Sequence, residues 1–140
     1  MKYALIIIAF CLPAPQLAAE TNQKTDQITV ELNAAKTHEG SCQLIFMVTN
    51  SSAITVMKVV YEAVLFDKNG QVNRLTLFDF GSLPSQRPRV RQFAVPQMTC
   101  ENLGRVLFNG ASTCVGDGLD ETLCDNGFLP SSRIDIEVLG

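Results

Sequence analysis

Carboxylates, arginines, cysteines and one histidine are the residues whose types and spacing could do chemistry. Asp117, Asp120 and Glu121 crowd into Gly116-Asp117-Gly118-Leu119-Asp120-Glu121, and Asp125 follows just past Cys124, so four carboxylates fall within nine positions. Calcium takes six to eight oxygen ligands at about 2.4 Å, often from flexible glycine-containing loops. The spacing departs from the D-x-[DN]-x-[DN]-G loop, because Leu119 takes the third position and Glu121 the fifth. A disulfide-clipped loop could still converge the four side chains on calcium. The expected state is a solvated loop in which Asp120 caps a helical turn.

Opposite charge gathers in Arg87-Pro88-Arg89-Val90-Arg91. In an extended segment, alternation puts the three guanidinium groups on one face, where they could grip a phosphate, a carboxylate or an acidic partner. The same pattern also protects an edge strand, since Pro88 and a row of charge discourage pairing with another sheet. His38 is the single histidine, in Lys36-Thr37-His38-Glu39, and reads as an exposed turn residue. Nucleophilic hydrolysis needs a nucleophile, a base and an orienting group. The chain has no GxSxG, no HExxH and no glycine-rich phosphate loop. A carboxylate-only glycosidase mechanism needs a cleft that so short a chain rarely builds. No catalytic residue is assigned.

Met1-Lys2 is a short basic start, Tyr3 to Leu12 is an unbroken apolar run of ten, and Pro13, Pro15 and Leu17-Ala18-Ala19 follow. Ten residues are too few to cross a bilayer, which needs about 20. Residues 1–19 are therefore expected to be a removable signal segment and residues 20–26 a flexible leader. Cys11 leaves with the signal; Phe10 stands where a lipid-anchored cysteine wants a small residue. Cys42, Cys100, Cys114 and Cys124 remain. An even number in an exported chain reads as two disulfides, with three possible connectivities, and the spacing favours Cys42–Cys100 and Cys114–Cys124. A four-cysteine metal site fails on pattern, because no two cysteines stand in CxxC spacing. Loss of Lys2 leaves 10 basic against 14 acidic residues, net −4. That balance argues against general nucleic-acid binding.

The elements that must position these residues are strands. Ile28, Val30 and Leu32 alternate with polar neighbours, Cys42 to Thr49 is apolar almost throughout, and Val59, Tyr61, Ala63 and Leu65 line one face of Val56 to Asp67. Asp67-Lys68-Asn69-Gly70 is a tight reversal into Val72 to Phe80. Arg89 to Val95, Leu103 to Phe108 and Arg133 to Leu139 complete seven candidate strands, with turns expected at Lys36 to Ser41, Asn50-Ser51-Ser52 and Asn109-Gly110. No segment carries a 3.6-residue apolar stripe. The fold class expected is all-β: an antiparallel immunoglobulin-like β-sandwich of about seven strands over residues 27–140, with a disulfide-clipped C-terminal loop. With no tryptophan, the antibody-type core is absent.

Phe46 to Val72 (FMVTNSSAITVMKVVYEAVLFDKNGQV) resembles the FxLYD-type domain. In that family a strand ends in an Asn-Ser turn, and a long strand closes on an aromatic-leucine-tyrosine-aspartate signature before a glycine hairpin. The signature positions here read Ala63, Leu65, Phe66 and Asp67; Leu65 and Asp67 match, Phe66 replaces the tyrosine and Ala63 departs from phenylalanine. The chain also looks like small periplasmic proteins of proteobacteria. The resemblance implies an immunoglobulin-like fold on exported proteins, and it carries over no active site.

These features converge on a periplasmic or secreted, non-catalytic binding or accessory module for an envelope protein or complex. Its two least generic surfaces are the Arg87/Arg89/Arg91 face and the Cys114–Cys124 loop. The alternative is a periplasmic protein that binds calcium or a small anion; a small hydrolase or an enzyme inhibitor ranks below it. Calcium is the one cofactor the residues suggest. The partner expected is a protein, not nucleic acid, with no integral membrane segment after signal removal.

Overall fold

The computed structural model describes residues 25–140, so the expected signal segment and residues 20–24 of the leader lie outside the described residues. Chain order gives β1 (Ile28–His38), β2 (Ser41–Asn50), β3 (Val56–Asp67), β4 (Val72–Leu83) and β5 (Arg89–Val95). A short 3-10 turn (Cys100–Asn102) leads into β6 (Leu103–Val115), then α1 (Leu123–Asn126), β7 (Phe128–Ser132) and β8 (Glu137–Leu139). The strands form two four-stranded sheets, in the orders β5-β2-β1-β7 and β4-β3-β6-β8.

Period-two alternation decides what meets between the sheets. On β1 the inward residues are Ile28, Val30 and Leu32, on β2 Cys42, Leu44, Phe46 and Val48, and on β3 Val59, Tyr61, Ala63 and Leu65; all are fully buried. Phe46 stands at the centre, with ring centroids 5.8 Å from Phe78 and Phe80 and 6.0 Å from Phe93 and Phe108. Tyr61 packs edge-on to Phe80 and Phe108 and lies 4.6 Å from Phe128. Aromatic rings prefer such tilted contacts because positive ring edges meet negative faces.

Four expectations are corrected. The sheets are mixed, not purely antiparallel, because β1 pairs β7 in parallel and β6 pairs β8 in parallel. Among the described residues there are eight strands instead of about seven, since the expected Arg133 to Leu139 strand contributes only Glu137–Leu139, and Phe128–Ser132 forms a strand of its own. The chain changes sheet between them. Ser132 makes this corner, its hydroxyl donating to the Ile134 carbonyl at 3.0 Å. Asn109-Gly110 is not a turn but lies inside β6, where Gly110 takes φ +149° and the register against β3 shifts. The β3 ladder continues on both sides of it, so the glycine serves a bulge in place of a hairpin. The expected Lys36 to Ser41 turn shrinks to Glu39-Gly40, both at positive φ.

Both favoured disulfides form. Cys42–Cys100 ties β2 to the 3-10 turn across 58 residues, and Cys114–Cys124 ties the end of β6 to α1 across 10. By the chain-entropy account loops of these lengths are worth roughly 4 and 3 kcal/mol. Tyr61 adds a third tie, its buried hydroxyl donating to the Cys124 carbonyl at 2.8 Å. Burial pushes the Tyr61 phenol above its ordinary range, and the Asp125 carboxylate adds to the shift.

A phenol whose folded-state pKa is raised contributes stability that is intact below the ordinary tyrosine value of about 10 and is lost as pH climbs beyond it. Tyr3 and Tyr61 are the two tyrosines, so in protein without residues 1–19 phenolate absorbance reports Tyr61 alone. We expect that absorbance to rise only as the β-sheet circular dichroism is lost. Tyr61→Phe should cost about 1–2 kcal/mol in urea unfolding at neutral pH and make the alkaline decline in stability shallower.

Candidate functional site

Two of the four carboxylates, Asp120 and Asp125, hold nearby backbone. Asp120 Oδ1 accepts from the Thr122 amide at 2.9 Å and the Thr122 hydroxyl at 2.8 Å, and these bonds hold its carboxyl below the ordinary range. The helical turn starts two residues later than expected, at Leu123, with no side-chain cap. Asp125 Oδ1 accepts from the Ala111 amide at 2.8 Å, stitching α1 to the β6 bulge. Asp117 and Glu121 are exposed. Among the described residues no three His, Cys, Asp or Glu side chains come together to hold a metal. A cleft of about 310 Å³ lies between this loop and the β2–β3 turn, lined by Asp26, Ser52, Ile54, Leu119, Asp120 and Asn126 among others. His38 is exposed at the end of β1, its Nε2 3.7 Å from Glu39.

The three arginines do not form one free face. Arg87 is exposed in the loop before β5, whereas Arg89 and Arg91 alternate with exposed Val90 and Gln92 and share the inward side with Phe93 and Val95. Arg91 Nε donates to the Phe80 carbonyl at 2.7 Å and Nη2 to the Ser82 carbonyl at 3.1 Å. β5 and β4 are edge strands of different sheets. Arg91 therefore clasps the open side of the sandwich, using the fork of donors that suits guanidinium to two acceptors at once.

The least ordinary surface lies elsewhere, on the outer face of the β4-β3-β6-β8 sheet. Register aligns Leu75, Val64, Leu107 and Leu139 in one row across all four strands. The adjacent row reads Val72, Phe66, Arg105 and Glu137. Arg105 lies 5.8 Å above the Phe66 ring and pairs with Glu137. Leu75, Leu77 and Val72 are 62%, 59% and 57% exposed, and Leu139 is 38% exposed. Leu75, Leu77 and Val72 stand at the β4 edge and Leu139 at the β8 edge, with buried Val64 and half-buried Leu107 between them; exposed apolar patches on a monomer are often functional. Charge rims the patch: Glu62 with Asn109 at 2.7 Å, and Lys58 with Asp79 at 3.5 Å.

The other outer face is different in kind. Its rows carry Thr29 with Thr49 and Leu129, Met47 with Val90 and Glu31, and Gln43 bonded to Gln92 at 3.0 Å. Residue typing alone passes over the leucine row, although one signal points to it. β4 has Leu75 and Leu77 on one side and Phe78 and Phe80 on the other, and a hairpin strand that is apolar on both faces has more to cover than one core.

No protein-family model matches the chain, and no curated protein matches it. Among solved structures, IrmA from Escherichia coli is similar in fold, with a TM-score of 0.58 at 15% identity over 76% of this chain and 92% of that one. The alkylpurine DNA glycosylase AlkC from Pseudomonas fluorescens, solved with DNA containing an abasic site analog, aligns at a TM-score of 0.24. That alignment has 19% identity over 65% of this chain and 29% of AlkC, and carries no weight for the fold.

Arg91→Ala should lower stability in urea by about 1–3 kcal/mol, because it strips charged donors from two carbonyls. Arg87→Ala should stay within about 0.5 kcal/mol of the parent. Millimolar calcium should leave the melting temperature unmoved, whereas a ligand bound only by the folded state would raise it.

Proposed function

We propose that the protein is an exported, non-catalytic binding module that docks the outer face of the β4-β3-β6-β8 sheet on a protein of the cell envelope. The observation that carries this reading is the Leu75–Val64–Leu107–Leu139 row, an apolar centre with a charged rim. Such a centre and rim is the anatomy of a protein interface. Export is supported by the two disulfides, which persist in oxidising compartments. Among the described residues, no helix is long and apolar enough to cross a membrane. Kinship with FxLYD-type immunoglobulin-like domains is part of the same proposal. It is supported by the Asn50-Ser51-Ser52 turn, in which Asn50 and Ser52 are buried, and by the β3–β4 hairpin, while the parallel edge pairs depart from it.

Site-specific photo-crosslinking in intact cells tests the reading. A crosslinker at Leu139 should give a discrete adduct with one envelope protein, and one at Leu129, half-exposed on the opposite sheet, should give none. Equal yields at the two positions, or no adduct at Leu139, would count against this face.

A further inference from the structure

The four edge strands are not equally protected. β8 is three residues long, β7 carries Pro130 at its middle, and β5 is entered through Pro88 and carries Arg89 and Arg91. Shortness, proline and charge are the devices that keep edges from pairing with another chain. β4 is an edge strand of 12 residues without a proline, and its charges, Arg74 and Asp79, flank the Leu75–Phe78 stretch instead of filling it. Its C-terminal end alone is taken, where the Phe80 and Ser82 carbonyls accept from Arg91. Val72 to Asp79 is left as an open edge.

That stretch is self-complementary. Strands joined across a two-fold axis run antiparallel, and each residue meets its counterpart in a fixed register. Centring the axis on Thr76 sets Leu75 against the second copy's Leu77, and Leu77 against the second copy's Leu75, on the outer face. The same register sets the Asn73 amide against the Asp79 carboxylate and opposes no like charges. A shift of two residues one way puts Leu75 against Asp79; a shift the other way puts Leu77 against Asn73. The Thr76 register also ends at Asp79, just before the carbonyls Arg91 occupies.

We propose that two copies of the protein pair antiparallel through β4 about Thr76, joining their outer sheets into one eight-stranded platform with Leu75 and Leu77 at its seam. The occupant of the open edge is thus a second copy of this chain. Pairing this short buries less than a standard interface of about 800 Å² per partner, so the dimer should be of micromolar affinity. The inference concerns the edge and stands apart from the envelope partner, because the Leu139 crosslink can persist or fail independently of it.

Sedimentation of the disulfide-intact protein lacking residues 1–19, at a concentration on the order of 100 μM, should give twice the monomer mass. Leu75→Lys with Leu77→Lys should return the monomer with unchanged circular dichroism, since both side chains are exposed in the single copy. Thr76→Cys should form a disulfide-linked dimer under oxidation, because opposed Cα atoms in an antiparallel pair lie about 4.5–5.5 Å apart, within disulfide reach. Val72→Cys, four residues from the axis, should not. A monomeric parent protein, a dimer that survives the double lysine variant, or equal crosslinking at the two cysteine positions would each overturn the proposal.

Discussion

Phe46 is the contact on which the rest of the structure depends. It projects from β2 into the space between the sheets and touches four phenylalanines, three of them on the opposite sheet. Burying that ring inward sets the parity of the whole strand, so Cys42, Leu44, Val48 and Asn50 must face inward too. Two consequences follow from parity alone. Cys42 places its sulfur at the core's end, where Cys100 meets it with 4.7 Å between Cα atoms. Asn50 is forced to bury an amide, which is costly without partners. It finds them in the Ile54 and Leu83 carbonyls and in the backbone amide and hydroxyl of Ser52, so the turn after β2 is folded around it.

The two sides of the sandwich close by different means. On one side the chain itself crosses, with β7 added to β1 and β8 added to β6. On the other side the chain crosses only as the loop of residues 84–88 between β4 and β5, and Arg91 bridges the two strands by reaching the Phe80 and Ser82 carbonyls. The clipped loop is anchored at three points that converge on α1: the Cys114–Cys124 disulfide, the Tyr61 hydroxyl on the Cys124 carbonyl, and Asp125 on the Ala111 amide. Of its acidic residues Asp125 serves this anchoring and Asp120 folds the loop locally onto Thr122, while Asp117 and Glu121 stand exposed.

The two outer faces divide polar and apolar character unevenly. One presents threonine, glutamine and glutamate with scattered apolar residues; the other presents a leucine row with phenylalanine, arginine and carboxylates at its margin. The chain buries five aromatic rings, packs Phe93 and Phe128 partly buried against them, and still sets leucines in water on one outer face, an apolar surface with a polar border. That is the basis of the proposed role, and it differs from arginine-led recognition because Arg91 is already bonded within the fold.

Much of the fold was legible in the residues because a strand's burial has period two. Ile28/Val30/Leu32 and Val59/Tyr61/Ala63/Leu65 announce their inward faces locally, and the cysteine spacing favours the pairing that forms. What local pattern could not supply was any quantity set by a distant strand. Asn109-Gly110 has the residue types of a hairpin, and only the uninterrupted β3 ladder beside it makes it a bulge. Arg91 alternates like a surface residue, and only the nearness of β4 makes it a clasp. The parallel pairings and the leucine row come from lateral neighbours in four different segments, so no window of sequence contains them. Sequence alone determined the inward side of the strands that alternate cleanly, β1 and β3 among them; tertiary structure decided which strands lie side by side, because hydrogen-bonded pairing joins segments with no local signal of each other.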